Sequence, residues 1–342
     1  MKAIGYIKNL PITDAASLTD IELAQPIATG KDLLVKIKAI AVNPVDCKIR
    51  ANVPSADDNY KVIGWDAVGE VVATGELVTE FKAGDVVYYA GDLNRQGSNA
   101  EYQLVDERLV GHKPKSLSDA EAAALPLTTI TAWELLFEHL NIVQLPVGST
   151  DTSNDVILVI GAAGGVGSIL IQLAKTLTGA TVIGTASRES SQAWVKTLGA
   201  DYVIDHTQPL GPQIEALGVG QVSHVASLNS TGSYFETYIE LLKPFGKIAM
   251  IDDPATPLDV MKMKPKSLSL HIEFMYARSM FQADDMFEQG RLLTAVANLV
   301  DQGNIKTTIG KHLGKINATN LKLAHETLES GRSIGKIVLE GF

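Results

Sequence analysis

VILVIGAAGGVGSILIQLA occupies residues 156–174 and reads as three things in succession. Five unbroken apolar residues, Val156 to Ile160, have the length and β-branching of a buried strand. A turn follows that carries Gly161, Gly164, Gly165 and Gly167, and from Val166 apolar residues return at helical spacing. By length alone the apolar run Val156–Ile171 approaches the roughly 18 residues of a membrane span, but four glycines interrupt it, and strand, turn and helix account for it better. Glycine lets a backbone approach a pyrophosphate, whose charge the amide N–H groups and the dipole of the helix N-terminus then stabilise. The dinucleotide pattern G-x-G-x-x-G would put glycine at 162, 164 and 167, and this chain has Ala162, Gly164 and Gly167. The loop residues Ala163, Gly164, Gly165 and Val166 are thus the first candidates for cofactor contact.

A bare glycine turn also occurs without a ligand, so the flanks decide. Downstream, the strand-like runs ATVIGTAS, ADYVID, VSHVAS and GKIAMID alternate with helical runs SSQAWVKTLG and YFETYIELLK. Repeated strand–helix units need right-handed crossovers and build a parallel sheet with helices on both faces. The expectation is a doubly wound α/β cofactor domain over residues 126–266. In such domains an acid about 20 residues beyond the last glycine holds the ribose of NAD. Ser187 and Arg188 stand there, with no acid from Val182 to Arg188. A hydroxyl and a guanidinium suit a 2′-phosphate, so the expected cofactor is NADPH. Arg188 as a solvated helix-start residue is the alternative.

Residues 1–125 read differently. LLVKIKAIAV alternates apolar and charged positions, and DAVGEVVATG and GDVVYYAGD are short β-branched runs closed by glycine, so this part is expected to be strands and turns. LTTITAWELLFEHL then carries the chain onward as a helix. The segment 267–342, with SLSLHIEFM as strand, DDMFEQGRLLTAVANLVDQG as helix and GKIVLEGF as final strand, is expected to return to the first domain. GRSIG at 331–335 matches a nucleophile elbow, but that motif needs a strand before the serine and a helix after it. Here the order is reversed, and Ser333 is a turn residue.

The 342 residues suit about two domains. A net charge of −10 disfavours nucleic acid and anionic lipid as partners. The single cysteine, Cys47, excludes an intramolecular disulfide and fits a reducing setting. With no signal-peptide pattern at the N-terminus, the expected location is the cytoplasm.

The β-rich half, LPLTTITAWELLF, the glycine loop, AVNPVDCKIR, IGWDAVGEVVATG, SLHIEFMYARS and SGRSIGKIVLEGF together closely resemble the medium-chain dehydrogenase/reductase superfamily, over essentially the whole chain. Within it the chain looks like the quinone oxidoreductase branch, in particular the zinc-type alcohol dehydrogenase-like proteins. The resemblance implies a GroES-like catalytic domain beside a Rossmann cofactor domain, and commonly a homodimer. It also implies that zinc-dependent members carry a Cys at the place of Asn43 and a His-Glu pair at Trp65-Asp66. A catalytic zinc needs about three protein ligands, which Asn43 and Trp65 do not supply. Cys47 lies four residues beyond the ligand position and reads as a buried small residue. The four-cysteine structural loop is missing, and the seven histidines show no metal-ligand spacing. No zinc is expected.

Without a metal to polarise an alcohol oxygen, the chemistry left is hydride transfer from NADPH to an acceptor that is already electron-poor. The resemblance implies quinones or α,β-unsaturated carbonyls. By the same resemblance Asn43 and Asp46 line the cleft beside the nicotinamide with Lys48 and Trp65 close by, and Thr131 contacts the cofactor. Tyr60 is either a proton donor and oxygen orienter or an ordinary loop tyrosine. His206 stands where relatives have a tyrosine near the adenosine. Phe274 and Met275 pack near the nicotinamide or in a strand core, and Lys336 either reaches the cofactor phosphates or is a surface lysine. Two other functions compete: a zinc-dependent alcohol dehydrogenase, and a catalytically weak, crystallin-like NADPH-binding protein.

Overall fold

The structure is a computed structural model that describes residues 1–56 and 59–342. The chain forms two compact units, one of Met1–Ile130 with Tyr276–Phe342 and one of Thr131–Met275.

The second unit is built on a six-stranded sheet. Its order across the sheet is Tyr202–Ile204, Thr181–Thr185, Val156–Ile160, Val222–Ser227, Leu242–Met250 and Ser269–Ile272. Every neighbouring pair is parallel, and in chain order the strands lie 3-2-1-4-5-6. That is the dinucleotide-binding order, whose direction of winding reverses between the first and fourth strands. The order follows from the sequence: Val156–Ile160 is buried at all five positions, which only a central strand covered on both faces requires. Leu158, Ile183, Val225 and Ile248 pack with Phe235 and Tyr238 into a core on one side of it. Helices Gly165–Leu177, Glu189–Thr197, Leu210–Leu217 and Thr231–Leu241 make the crossovers. The helix Leu210–Leu217 is absent from the sequence reading, because Gly211 and Pro212 disguise its first turn. Proline is tolerated there, where backbone N–H groups have no intrahelical partner.

Two expected boundaries move. Ser269–Ile272 pairs with Leu242–Met250, from Lys247 opposite Ser269 to Met250 opposite Ile272. It is therefore the sixth strand of the cofactor sheet rather than the start of the return, which begins at Tyr276. The first unit correspondingly extends to Ile130 rather than ending at 125. Periodicity identifies a strand but not its partner, and partnership sets the boundary. The strand also stops at Ile272, short of the expected Met275.

The first unit holds a seven-stranded sheet and a three-stranded antiparallel one. Its long strand Asp32–Val42 has Lys36 exposed between buried Val35 and Ile37, the alternation read in the sequence. It pairs antiparallel with Lys336–Glu340 on one side and with Ala67–Thr74 on the other. Three segments depart from the strand-and-turn expectation: helices Pro44–Asn52 and Asp119–Ala123 and the 3₁₀ turn Glu107–Leu109. The first of them had a signal, an asparagine, a proline at the first helical position and an acid at the third. The segment read as one helix through Leu140 is α-helical over Pro126–Trp133 and then a π-helix over Glu134–His139. Among the described residues no helix is long and apolar enough to cross a membrane.

Candidate active site

Strand register in the first unit assembles a buried polar centre. Val42 lies opposite Ile337, so the residue after the one strand, Asn43, meets the residue before Ile337, which is Lys336. Ile40 lies opposite Ala67, which brings Asp66 to the same end of the sheet. Asn43 then caps the helix Pro44–Asn52, and its backbone N–H donates to Asp46 Oδ2 at 2.8 Å, the acid of the capping position.

Four side chains converge. Lys336 Nζ donates to Asp66 Oδ2 at 2.7 Å, to the carbonyl of Val42 at 3.2 Å, and to Asn43 Oδ1. Asn43 Nδ2 donates to the same Asp66 oxygen at 2.8 Å, and the Leu127 backbone N–H donates to Asp66 Oδ1 at 2.7 Å. Asn43, Asp46, Asp66 and Lys336 are all at most 3% exposed. Burial pushes the Asp66 carboxyl up, opposed by the Lys336 charge and by its three donors. Asp46 differs. Burial raises it to about 7; the Asn43 N–H and the Lys336 charge oppose this, and the neighbouring Asp66 charge adds to it. Its Oδ1 is buried and accepts no hydrogen bond among the described residues. A carboxyl poised near neutrality with one free oxygen can hold or release a proton there.

Trp65 is 1% exposed, donates Nε1 to the Asp92 carbonyl at 3.1 Å, and meets Tyr276 edge to face at 6.4 Å between ring centres. Burial and then Asp46, Asp66 and Asp92 keep the Tyr276 hydroxyl well above its usual pKa, so it stays protonated. At the positions matched to the zinc ligands, Trp65 has no metal-binding lone pair, while Asn43 and Asp66 already hold an ammonium ion. These residues do not fit a catalytic zinc.

The second unit carries the glycine loop. Gly161 leaves the first strand with φ +78°, and its N–H donates to Thr185 Oγ1 at 3.2 Å. A Cβ on Gly167 would sit 2.6 Å from the Ala162 backbone, so only glycine allows this helix to approach the strand end so closely. Gly164 caps the helix Gly165–Leu177 without a side chain, which leaves the first helical N–H groups unshielded by any cap. Ala163, Gly164, Gly165 and Val166 are all partly exposed. This cradle fits the phosphates of a dinucleotide.

Several expected cofactor residues share the loop's edge of the sheet, since each follows the C-terminal end of a parallel strand. Ser187 and Arg188 follow Thr181–Thr185, His206 follows Tyr202–Ile204, and Phe274 and Met275 follow Ser269–Ile272. Arg188 is exposed, and its guanidinium makes no hydrogen bond or ion pair among the described residues. His206 is half-buried and accepts from Tyr234 through its carbonyl at 2.9 Å. Phe274 is half exposed, Met275 is buried, and Thr131 is buried on its helix.

Three expectations fare otherwise. Lys336 is neither a surface lysine nor free for phosphates, because its three donors are spent inside the first unit. Tyr60 is 44% exposed in a loop and belongs to no part of the polar centre, and Lys48 is exposed on its helix. Asp66 and Tyr276 were missed as site residues. Asp66 had a signal, an acid sealed between a tryptophan and a buried β-branched run in GWDAVG; Tyr276 had none.

Comparison with known proteins bears on the family and the fold. The alcohol dehydrogenase GroES-like domain family matches residues 29–115, and the zinc-binding dehydrogenase family matches residues 165–289. A zinc-type alcohol dehydrogenase-like protein of Staphylococcus aureus strain MSSA476 is 39% identical over 99% of both chains. A 2-methylene-furan-3-one reductase of Solanum lycopersicum is 32% identical over 99% of this chain and 79% of its own. The crystal structure of a Rhizobium etli CFN 42 protein, assigned by name to the zinc-dependent alcohol dehydrogenases, superposes with TM-score 0.95 at 51% identity, covering 100% of this chain and 98% of the other.

Proposed function

The chain belongs to the medium-chain dehydrogenase/reductase superfamily, and we propose that within it this protein is an NADPH-dependent reductase of quinones or α,β-unsaturated carbonyls that uses no catalytic metal. The observation that supports this reading is the Lys336–Asp66 pair: the carboxylate that the resemblance matches to the zinc-dependent members' His-Glu pair already holds an ammonium. Without a Lewis acid an alcohol oxygen loses that activation, which favours an acceptor that is already electron-poor. The furanone reductase from tomato bears the name of an enzyme for such an acceptor.

When bound, the nicotinamide supplies a hydride. The loop Ala163–Val166 and the N-terminus of the helix Gly165–Leu177 hold the diphosphate. Arg188, exposed and with its guanidinium unpaired among the described residues, would take the 2′-phosphate together with Ser187. His206 would face the adenosine, and Thr131, Phe274 and Met275 would hold the nicotinamide side. Asp46 holds the second hydrogen of the reduction as a proton on Oδ1, and Asn43 fixes its other oxygen. Hydride plus proton then turn a quinone into a hydroquinone, or an enone into the saturated ketone. Lys336 and Asp66 position Asn43, and Trp65 walls the same end of the sheet.

The test is a pH profile of acceptor reduction. A protonated Asp46 is required, so kcat falls as pH rises through about 7. Asp46→Asn lowers kcat by about a hundredfold and removes that limb. An unchanged profile in the variant assigns the proton to another group.

A further inference from the structure

Away from the polar centre, the helices Pro44–Asn52 and Ala318–Glu329 of the first unit bring Cys47, His325 and Glu329 together. One ligand atom from each lies within 4.8 Å of the other two. His325 and Glu329 are four positions apart on one helix and so share a face. Cys47 faces them from the other helix, with its Sγ 3.9 Å from the His325 carbonyl.

The histidine sets this apart from ordinary packing. His325 is 0% exposed, and neither Nδ1 nor Nε2 has a hydrogen-bond partner among the described residues. A neutral imidazole has one donor and one acceptor, and burying either unmade costs about 1–3 kcal/mol. Burial and the nearby Arg50 charge push the ring down to about 3, so it is neutral and its lone pair is available. Cys47 is the chain's single cysteine and is 7% exposed. Glu329 Oε1 accepts from Arg50 Nη2 at 2.5 Å, which leaves Oε2 for another partner.

We propose that Cys47, His325 and Glu329 form a zinc-binding site, with Cys47 Sγ, one imidazole nitrogen of His325 and Glu329 Oε2 as ligands and water as the fourth. One sulfur, one imidazole and one carboxylate form a donor set that a borderline divalent ion accepts. Tetrahedral zinc with ordinary bond lengths holds such atoms about 3.3–3.6 Å apart, so side-chain rotation must draw the cluster in by about 1 Å. On binding, the thiol gives its proton to solvent and a Zn–S bond forms, with no change of oxidation state. Burial pushes the Cys47 thiol up, and the Asp46 and Glu329 charges add to this, while the Arg50 guanidinium opposes it, so the thiolate forms only with the metal bound to it. The site is separate from the positions matched to the catalytic zinc ligands, and it amends the expectation that the histidines and the lone cysteine bind no metal.

The experiment is titration of the metal-free full-length chain with Zn²⁺ and, as a spectroscopic probe, Co²⁺. One Zn²⁺ per chain is expected to bind with release of a proton, raise the melting temperature, and protect Cys47 from iodoacetamide. Co²⁺ is expected to give a thiolate charge-transfer band. Cys47→Ser and His325→Gln each weaken Zn²⁺ binding by about a hundredfold, and the half-exposed Glu329→Gln by about tenfold. No stoichiometric Zn²⁺, or undiminished binding in Cys47→Ser and His325→Gln, overturns the proposal. If those variants do not fold, the unmutated chain decides: a Co²⁺ complex without the thiolate band, or a Cys47 that alkylates equally fast with Zn²⁺ present, overturns it too.

Discussion

Lys336 and Asp66, 270 positions apart in sequence, share a buried hydrogen bond of 2.7 Å with both side chains at most 3% exposed. Removing one partner leaves the other charge uncompensated. Lys336→Met is therefore expected to cost about 3–5 kcal/mol in urea denaturation, and the double variant Lys336→Met with Asp66→Asn to recover most of it. A loss in the double variant equal to the sum of the two single-variant losses would mean that the pair is not coupled. Asp46 gives a signed pH prediction. The folded chain keeps its proton up to about 7, while an unfolded aspartate loses it near 3.9. Between those values the folded state binds more protons, so this group's contribution to stability falls as pH rises from about 4 to about 7 and is level above. Asp46→Asn removes that fall, so its stability relative to the parent rises from pH 5 to pH 8. Residues of this kind are partly legible: Asn43, Asp46 and Trp65 were named from motif resemblance. The Lys336 partnership was not, because it depends on the register of three strands drawn from both ends of the chain.

The element that sequence describes best is the strand–turn–helix at 156–177. An apolar run, positive-φ glycine and a close helix approach all leave marks in residue type. Gly167→Ala puts a Cβ 2.6 Å from the Ala162 backbone, where no flexible side chain can yield. We expect a loss of about 1–3 kcal/mol in stability and at least a tenfold weaker grip on NADPH by fluorescence titration. Gly84→Ala is the control: no atom lies within 4 Å of that added Cβ, and the residue belongs to the other unit, so strain at its φ of +94° lowers stability without touching NADPH affinity. The helices Pro44–Asn52 and Leu210–Leu217 leave little mark in residue type because both are short and carry proline or glycine in the first turn. In the first, the cap pattern outweighed propensity.

At the scale of the molecule, an inserted parallel-sheet unit was foreseen, and its second boundary shifted only because an edge strand belongs to the sheet it pairs with. Cofactor choice is a property of the whole chain and of its acceptor together. NADPH at 100 times its dissociation constant should stabilise the protein by about 2.7 kcal/mol, and NADH at the same concentration by distinctly less. Arg188→Ala should erase that difference without altering the melting temperature of the cofactor-free protein. The most direct test is initial-rate kinetics of the full-length chain in EDTA, comparing NADPH with NADH against 1,4-benzoquinone and methyl vinyl ketone, and NADP⁺ against primary alcohols. A metal-free NADPH-dependent reductase oxidises NADPH with the quinone or the enone at least about tenfold faster than NADH and leaves alcohols inert. Alcohol oxidation that EDTA abolishes and zinc restores, or a preference for NADH, would contradict it.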